Sequence, residues 1–212
     1  MKHSVLAAAF TSAVLTALPS ITFGAPPNEI TFDLVPNPAF KACLLNDPGM
    51  PASARVTVTR AALNEVLLLE LNNIKPGLAF DLFTVEHSPF LADGSPDPNF
   101  KGNFGLAWYQ SDVKADSQGR GEVVIKTILL DQIFGFDPTV GLPPTNTFHV
   151  GFWFNSPHDA AACGFDVTKP TPFNGEHRAG PVAMISLPSA NAPLGPLCTA
   201  PIVSSSGVKC NP

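Results

Sequence analysis

Ser53-Ala54-Arg55-Val56-Thr57-Val58-Thr59 alternates without a break, with Ala54, Val56 and Val58 set against Arg55, Thr57 and Thr59. Successive side chains leave an extended backbone on opposite sides, so a period of two marks a strand with one face on a core. Working outward, Ile30, Phe32 and Leu34 alternate with Thr31 and Asp33 in the same way. On the other side, Leu63, Leu67, Leu71 and Ile74 fall near helical spacing. Glu65–Leu71 is nevertheless read as a strand, because it lies between a clear strand and the turn Lys75-Pro76-Gly77. With Leu78–His87 following, these segments predict a meander at hairpin spacing.

Further strands are predicted over Phe104–Gln110, Glu122–Leu129, Thr147–Phe154 and Pro181–Leu187, with a turn at Asp116–Gly121. Ser88–Asn103, Leu130–Asn146 and Phe165–Gly180 read as long loops, the second with one helical turn at Asp131–Phe134. One short helix is expected near 157–163, with Ser156 as N-cap, Pro157 at N1 and Gly164 at C′. About eight strands without βα alternation predict an all-β fold. The expected form is an antiparallel β-sandwich of immunoglobulin-like or jelly-roll type, anchored by Trp108 and Trp153.

Residues 1–24 read as a secretory signal peptide: Lys2 precedes an apolar run from Val5 to Leu18, and Thr22 and Gly24 suit cleavage before Ala25. The run is too short to span a bilayer, which takes about 20 apolar residues. The remainder divides into a β-sandwich domain, 25–188, and a Pro/Ser-rich tail, 189–212. The expected location is secreted, extracellular or periplasmic. There Cys43, Cys163, Cys198 and Cys210 pair as two disulfides of undetermined connectivity. One pairing ties the tail to the body through Cys163 or Cys43.

Lys2 is the one charged residue in the leader, so the mature chain keeps 11 basic and 17 acidic side chains, scattered rather than clustered. No Lys/Arg stripe is present, which removes the electrostatic footprint of a nucleic-acid binder. G-x-S-x-G, H-E-x-x-H, C-x-x-C and a Gly-rich phosphate loop are all absent from the sequence.

Three constellations carry chemistry. His149, His158 and His177 are candidate ligands for Zn or Cu if one end of the sandwich gathers them. Asp93, Asp97 and Asn99 place oxygens at alternate positions, as Ca loops do, although without the Gly and terminal Glu of an EF-hand. Glu86 beside His87 and Glu176 beside His177 are the best acid–base neighbours. Adjacent strand residues face opposite ways, so Glu86 and His87 cannot cooperate within a continuous strand.

Phe90, Phe100, Phe134, Phe136, Phe165 and Phe173 fall in predicted loops. They either fold back to cap the sandwich or present a surface to an apolar small molecule or a protein partner. The leading expectation is a secreted non-catalytic β-sandwich with a structural or binding role. The alternatives are a metal-binding or redox sandwich using the His cluster, and a hydrolase with an unrecognised site.

Overall fold

The computed structural model describes residues 29–60, 65–127, 135–137, 142–145, 147–171, 179–190, 192–193, 195–198, 201–204 and 207–210. The leader predicted at 1–24 lies outside them, as does the helical turn predicted at Asp131–Phe134.

The elements are β1 (Glu29–Pro36), β2 (Ser53–Thr59), β3 (Glu65–Asn72), β4 (Ala79–Val85), β5 (Ala107–Lys114) and β6 (Gly121–Thr127). Then come β7 (Gly135–Asp137), β8 (Leu142–Thr145), β9 (Thr147–Phe154), helix α1 (Pro157–Ala161) and β10 (Val182–Ile185). β11 (Leu197–Cys198), β12 (Pro201–Ser204) and β13 (Gly207–Cys210) follow. Eight strands form one antiparallel sheet in the order β5-β4-β9-β10-β1-β2-β3-β6, with β11 added to β9. β7–β8 and β12–β13 are separate hairpins.

The expected all-β, antiparallel layout of about eight strands and one short helix is the layout found, and its two layers are halves of one sheet. Glu29–Leu34 of β1 pair with β2, while Val35 and Pro36 pair with β10, so β1 passes from one layer to the other. The sheet's end strands, β5 and β6, are joined by the Asp116–Arg120 turn, which brings it almost full circle into a barrel.

Between the layers lie Val56, Val58, Leu67, Leu69, Phe80, Leu82, Val150, Phe152 and Phe154, all fully buried. Leu69 explains why β3 is a strand. A helix through Leu67, Leu71 and Ile74 would point Leu69 away from them, whereas the extended chain buries Leu67, Leu69 and Leu71 on one face. Burying each Leu is worth roughly 1.5–3 kcal/mol.

The meander stops at β3. β2 pairs with β3 as expected, but β4 crosses to the other layer and pairs with β5 and β9. Asn73 makes the corner. Its φ of 55° is left-handed, its Oδ1 accepts from Asp47 N–H at 2.7 Å, and its Nδ2 donates to the carbonyls of Asp47 and Met50. The β5–β6 turn crosses back beside it: Ile74 N–H donates to Gly119 O and Gly77 N–H to Ala115 O. A Cβ on Gly119, whose φ is +76°, would stand 2.5 Å from the Ile74 carbonyl oxygen. β6 therefore pairs with β3 and not with β5.

Helix α1 has the predicted caps. Ser156 Oγ accepts from Asp159 N–H, and Pro157 opens the first turn. Phe165 N–H bonds to Ala160 O and Gly164 N–H to Ala161 O, the paired bonds of a Schellman stop with Gly164 left-handed. Cys163, at this helix end, is bonded to Cys43. Phe40 packs beside the bridge against Phe154 and Phe165, with ring centroids 5.2 and 6.4 Å away.

The tail's attachment is corrected by this bridge. Cys43 and Cys163 take each other, so neither Cys198 nor Cys210 ties the tail to the body through them. A strand does so instead: β11 pairs with β9, and Leu197 is fully buried in the main core. Gly195 permits the approach, since a Cβ there would lie 2.2 Å from the Phe148 carbonyl.

Candidate functional site

β4 and β9 are central strands buried on both faces, so the layer holding them needs a second cover on its outer side. Their register sets Asp81 opposite Trp153, Phe83 opposite Gly151 and Val85 opposite His149 on that outer face. Residues 86–106 provide the cover. Phe90 and Phe104 are buried there with Phe83, Val85, Trp153, Val182 and Ile185, and Phe100 packs at their margin. Phe104 meets Trp153 edge-on at 5.2 Å and Phe100 at 4.8 Å. Trp153 thus anchors an outer core, while the half-buried Trp108 meets Phe148 of the main core at 5.2 Å.

Phe90 and Phe100 pack down on the sheet face, and Phe165 packs against the main core. Phe134, Phe173 and the side chain of Phe136 lie outside the described residues.

The cover is a built loop. Glu86 and His87 N–H groups both donate to Phe104 O, and the buried Glu86 Oε2 accepts from Leu106 N–H at 2.9 Å. A Cβ on Gly105 would collide with that carboxylate. Glu86 therefore closes the neck of the loop and does not act with His87. Glu176 and His177 lie outside the described residues.

Asp93 Oδ1 accepts from the N–H and hydroxyl of Ser95, and those two bonds hold its carboxyl below the usual range. Asp97 Oδ1 accepts from Asn99 N–H. The proposed calcium ligands are thus engaged in local turns. Asp97 and Asn99 face a common cleft.

That cleft, about 570 Å³, lies between the loop and Pro188 and Pro193, on either side of the junction between body and tail. Phe90, Leu91 and Phe100 give it an apolar wall, and Ser88, Asp97, Asn99, Lys101 and Asn103 a polar one. His87 and His149 complete it. His149 is 1% exposed. Its Nδ1 stands 2.9 Å from the Ser186 carbonyl oxygen and 3.0 Å from Ser186 Oγ. A carbonyl only accepts, so Nδ1 carries the proton and Nε2 keeps its lone pair. Burial pushes the His149 pKa down to about 4; the bond to Ser186 opposes this, and the nearby His87 adds to it. His149 is therefore a neutral imidazole at ordinary pH.

Ser186 does not make this pair a nucleophilic centre. It is buried beneath the imidazole, and its Oγ also accepts from Val150 N–H at 3.1 Å. Sequence reasoning missed Ser186 altogether, since a serine just past a short strand carries no signal. It weighed His87 only as a neighbour of Glu86.

The histidine cluster is not assembled as expected. His149 opens β9, whereas the exposed His158 sits on α1 beyond the far end of that strand. The strand between them is roughly 17 Å long from His149 to Phe154. His177 lies outside the described residues, and among the described residues no three His, Cys, Asp or Glu side chains stand together around a metal position. The register brings His87, not His158, toward His149.

A second hollow, about 390 Å³, flanks the loop's other side between Phe100 and Phe104 and the segment Pro181–Val182. Its lining is almost wholly apolar, with Thr171 as the one polar side chain. Among the described residues, no helix is long and apolar enough to cross a membrane. Comparison with protein-family models, with curated proteins and with solved structures finds no match to this chain.

Proposed function

We propose that the protein is an exported, non-catalytic binding module whose ligand occupies the cleft over His149. The observation that carries this reading is His149 itself. Its imidazole is buried and held by the Ser186 carbonyl through Nδ1–H, and the residue lines the cleft with the lone pair on Nε2. A ligand group that donates to that lone pair gains a hydrogen bond worth about 0.5–1.5 kcal/mol. An apolar wall with a few fixed polar groups opposite is the common form of a small-ligand site. Export is supported by the Cys43–Cys163 bridge, a bond that persists in oxidising compartments.

The test is a thermal-shift screen of a chemically diverse fragment set against the wild type and Asn99→Trp. Asn99 is exposed at the cleft rim, so the indole fills the cleft without disturbing the core. Fragments that stabilise the wild type and lose their effect in the variant support the reading. No stabilising fragment, or hits indifferent to the substitution, would refute it.

A further inference from the structure

We infer that the cleft takes one divalent transition-metal ion, copper(II) or zinc(II), on the imidazoles of His87 and His149. The inference rests on the cleft being the ligand site and names the class of ligand. β4 and β9 pair so that Val85 lies opposite His149, and His87 follows two residues after Val85. Both imidazoles line the same cleft. His149 already has the arrangement that a ligating histidine requires. Its Nδ1–H is committed to a backbone carbonyl at 2.9 Å, which fixes the ring and leaves Nε2 as the donor atom.

Other chemistries fit less well. An anion would need a free cation, but Lys101 Nζ donates to Pro98 O and Asp97 in the same wall opposes its charge. A hard oxygen-seeking ion would want several carboxylates, and the cleft offers one. A soft ion would want thiolates, and Cys43 and Cys163 are joined to each other. Two imidazoles with water in the remaining positions suit borderline ions. Such a site is open, and its ion exchanges with solvent.

The experiment titrates Cu²⁺ into untagged, chelator-stripped full-length mature protein. Calorimetry gives the stoichiometry and electron paramagnetic resonance counts the coordinated nitrogens. The expected result is one equivalent of Cu²⁺ with two imidazole nitrogens, bound more tightly than Zn²⁺. His87→Asn should weaken binding at least tenfold and leave one imidazole nitrogen; His158→Asn should change neither. No saturable binding, a wild-type spectrum without two imidazoles, or binding that His158→Asn removes would overturn the inference. Should His87→Asn fail to fold, the wild-type nitrogen count and the His158→Asn control still decide. Fragment hits abolished by Asn99→Trp, together with no metal binding, would remove the metal and leave the cleft reading standing. Failure of both assays would remove both.

Discussion

His149 should make the metal-free protein acid-sensitive by a calculable amount. In the unfolded chain its imidazole titrates near the ordinary value of 6.5; in the fold it stays neutral down to about 4. Above pH 6.5 both states are neutral and the histidine adds no pH dependence. As pH falls below 6.5 the unfolded chain binds a proton that the folded chain refuses, so stability drops until the folded imidazole also titrates. One pKa unit corresponds to about 1.4 kcal/mol, so the loss is about 2 kcal/mol at pH 5 and about 3 kcal/mol at pH 4. Against a total stability of about 5–15 kcal/mol, that is a large fraction.

Urea unfolding in the presence of chelator, from pH 7 to pH 4, measures it. Other histidines and carboxylates titrate over the same range, so the informative quantity is the difference between wild type and His149→Gln. Gln keeps an N–H donor for the Ser186 carbonyl but has no proton to gain. The stability gap between the two should change by about 2–3 kcal/mol across the range, with the wild type losing ground in acid. Parallel profiles would refute the argument, because they would mean that the buried imidazole is protonated as readily as an exposed one.

Three further outcomes follow from the fold. Replacing Cys43 and Cys163 by Ser removes a bridge spanning 120 residues of sequence, for which chain entropy sets an upper limit of about 5 kcal/mol; urea melts should show a loss of about 2–5 kcal/mol. Asn73→Ala removes three hydrogen bonds at a left-handed corner and should cost about 2–3 kcal/mol in the same assay, while a neutral effect would mean the corner is held without it. Gly195→Ala pushes a Cβ into the Phe148 carbonyl and should release β11, seen as faster limited proteolysis around residues 192–198 with the rest of the chain still resistant.

How much of this could be read from the sequence depends on range. Ser53–Thr59 and Ile30–Leu34 declared their strands because alternation is a local property, and Ser156, Pro157 and Gly164 declared the helix ends for the same reason. Where a strand goes is not local. The Lys75-Pro76-Gly77 turn suits a hairpin and a crossing equally well, and Asn73, which decides between them through Asp47 and Met50, gave no signal. The candidate site divides in the same way. His149 stands out as the one ionisable side chain in an apolar strand. Its relation to His87 needs the β4–β9 register, and its tether to Ser186 needs the β9–β10 pairing. Ser88–Asn103 reads as an exposed loop because of its Pro, Asp and Gly, yet Phe90 within it and Phe104 just after it are buried on the sheet.

β1 passes between the two layers, and this has a consequence for the order in which the chain can assemble. Its first six residues find β2 almost at once as synthesis proceeds. Val35 and Pro36, however, must wait for Ile185 and Met184, which emerge near the end of the chain. Until then β1 is half paired, and β9 lacks the neighbour that β10 will supply. Unpaired strand edges of this kind recruit other chains. Long-range pairings are also the slow ones to form. The strand that joins the two layers is thus the earliest to be made and among the last to be satisfied, so nascent chains are open to mispairing for most of their synthesis.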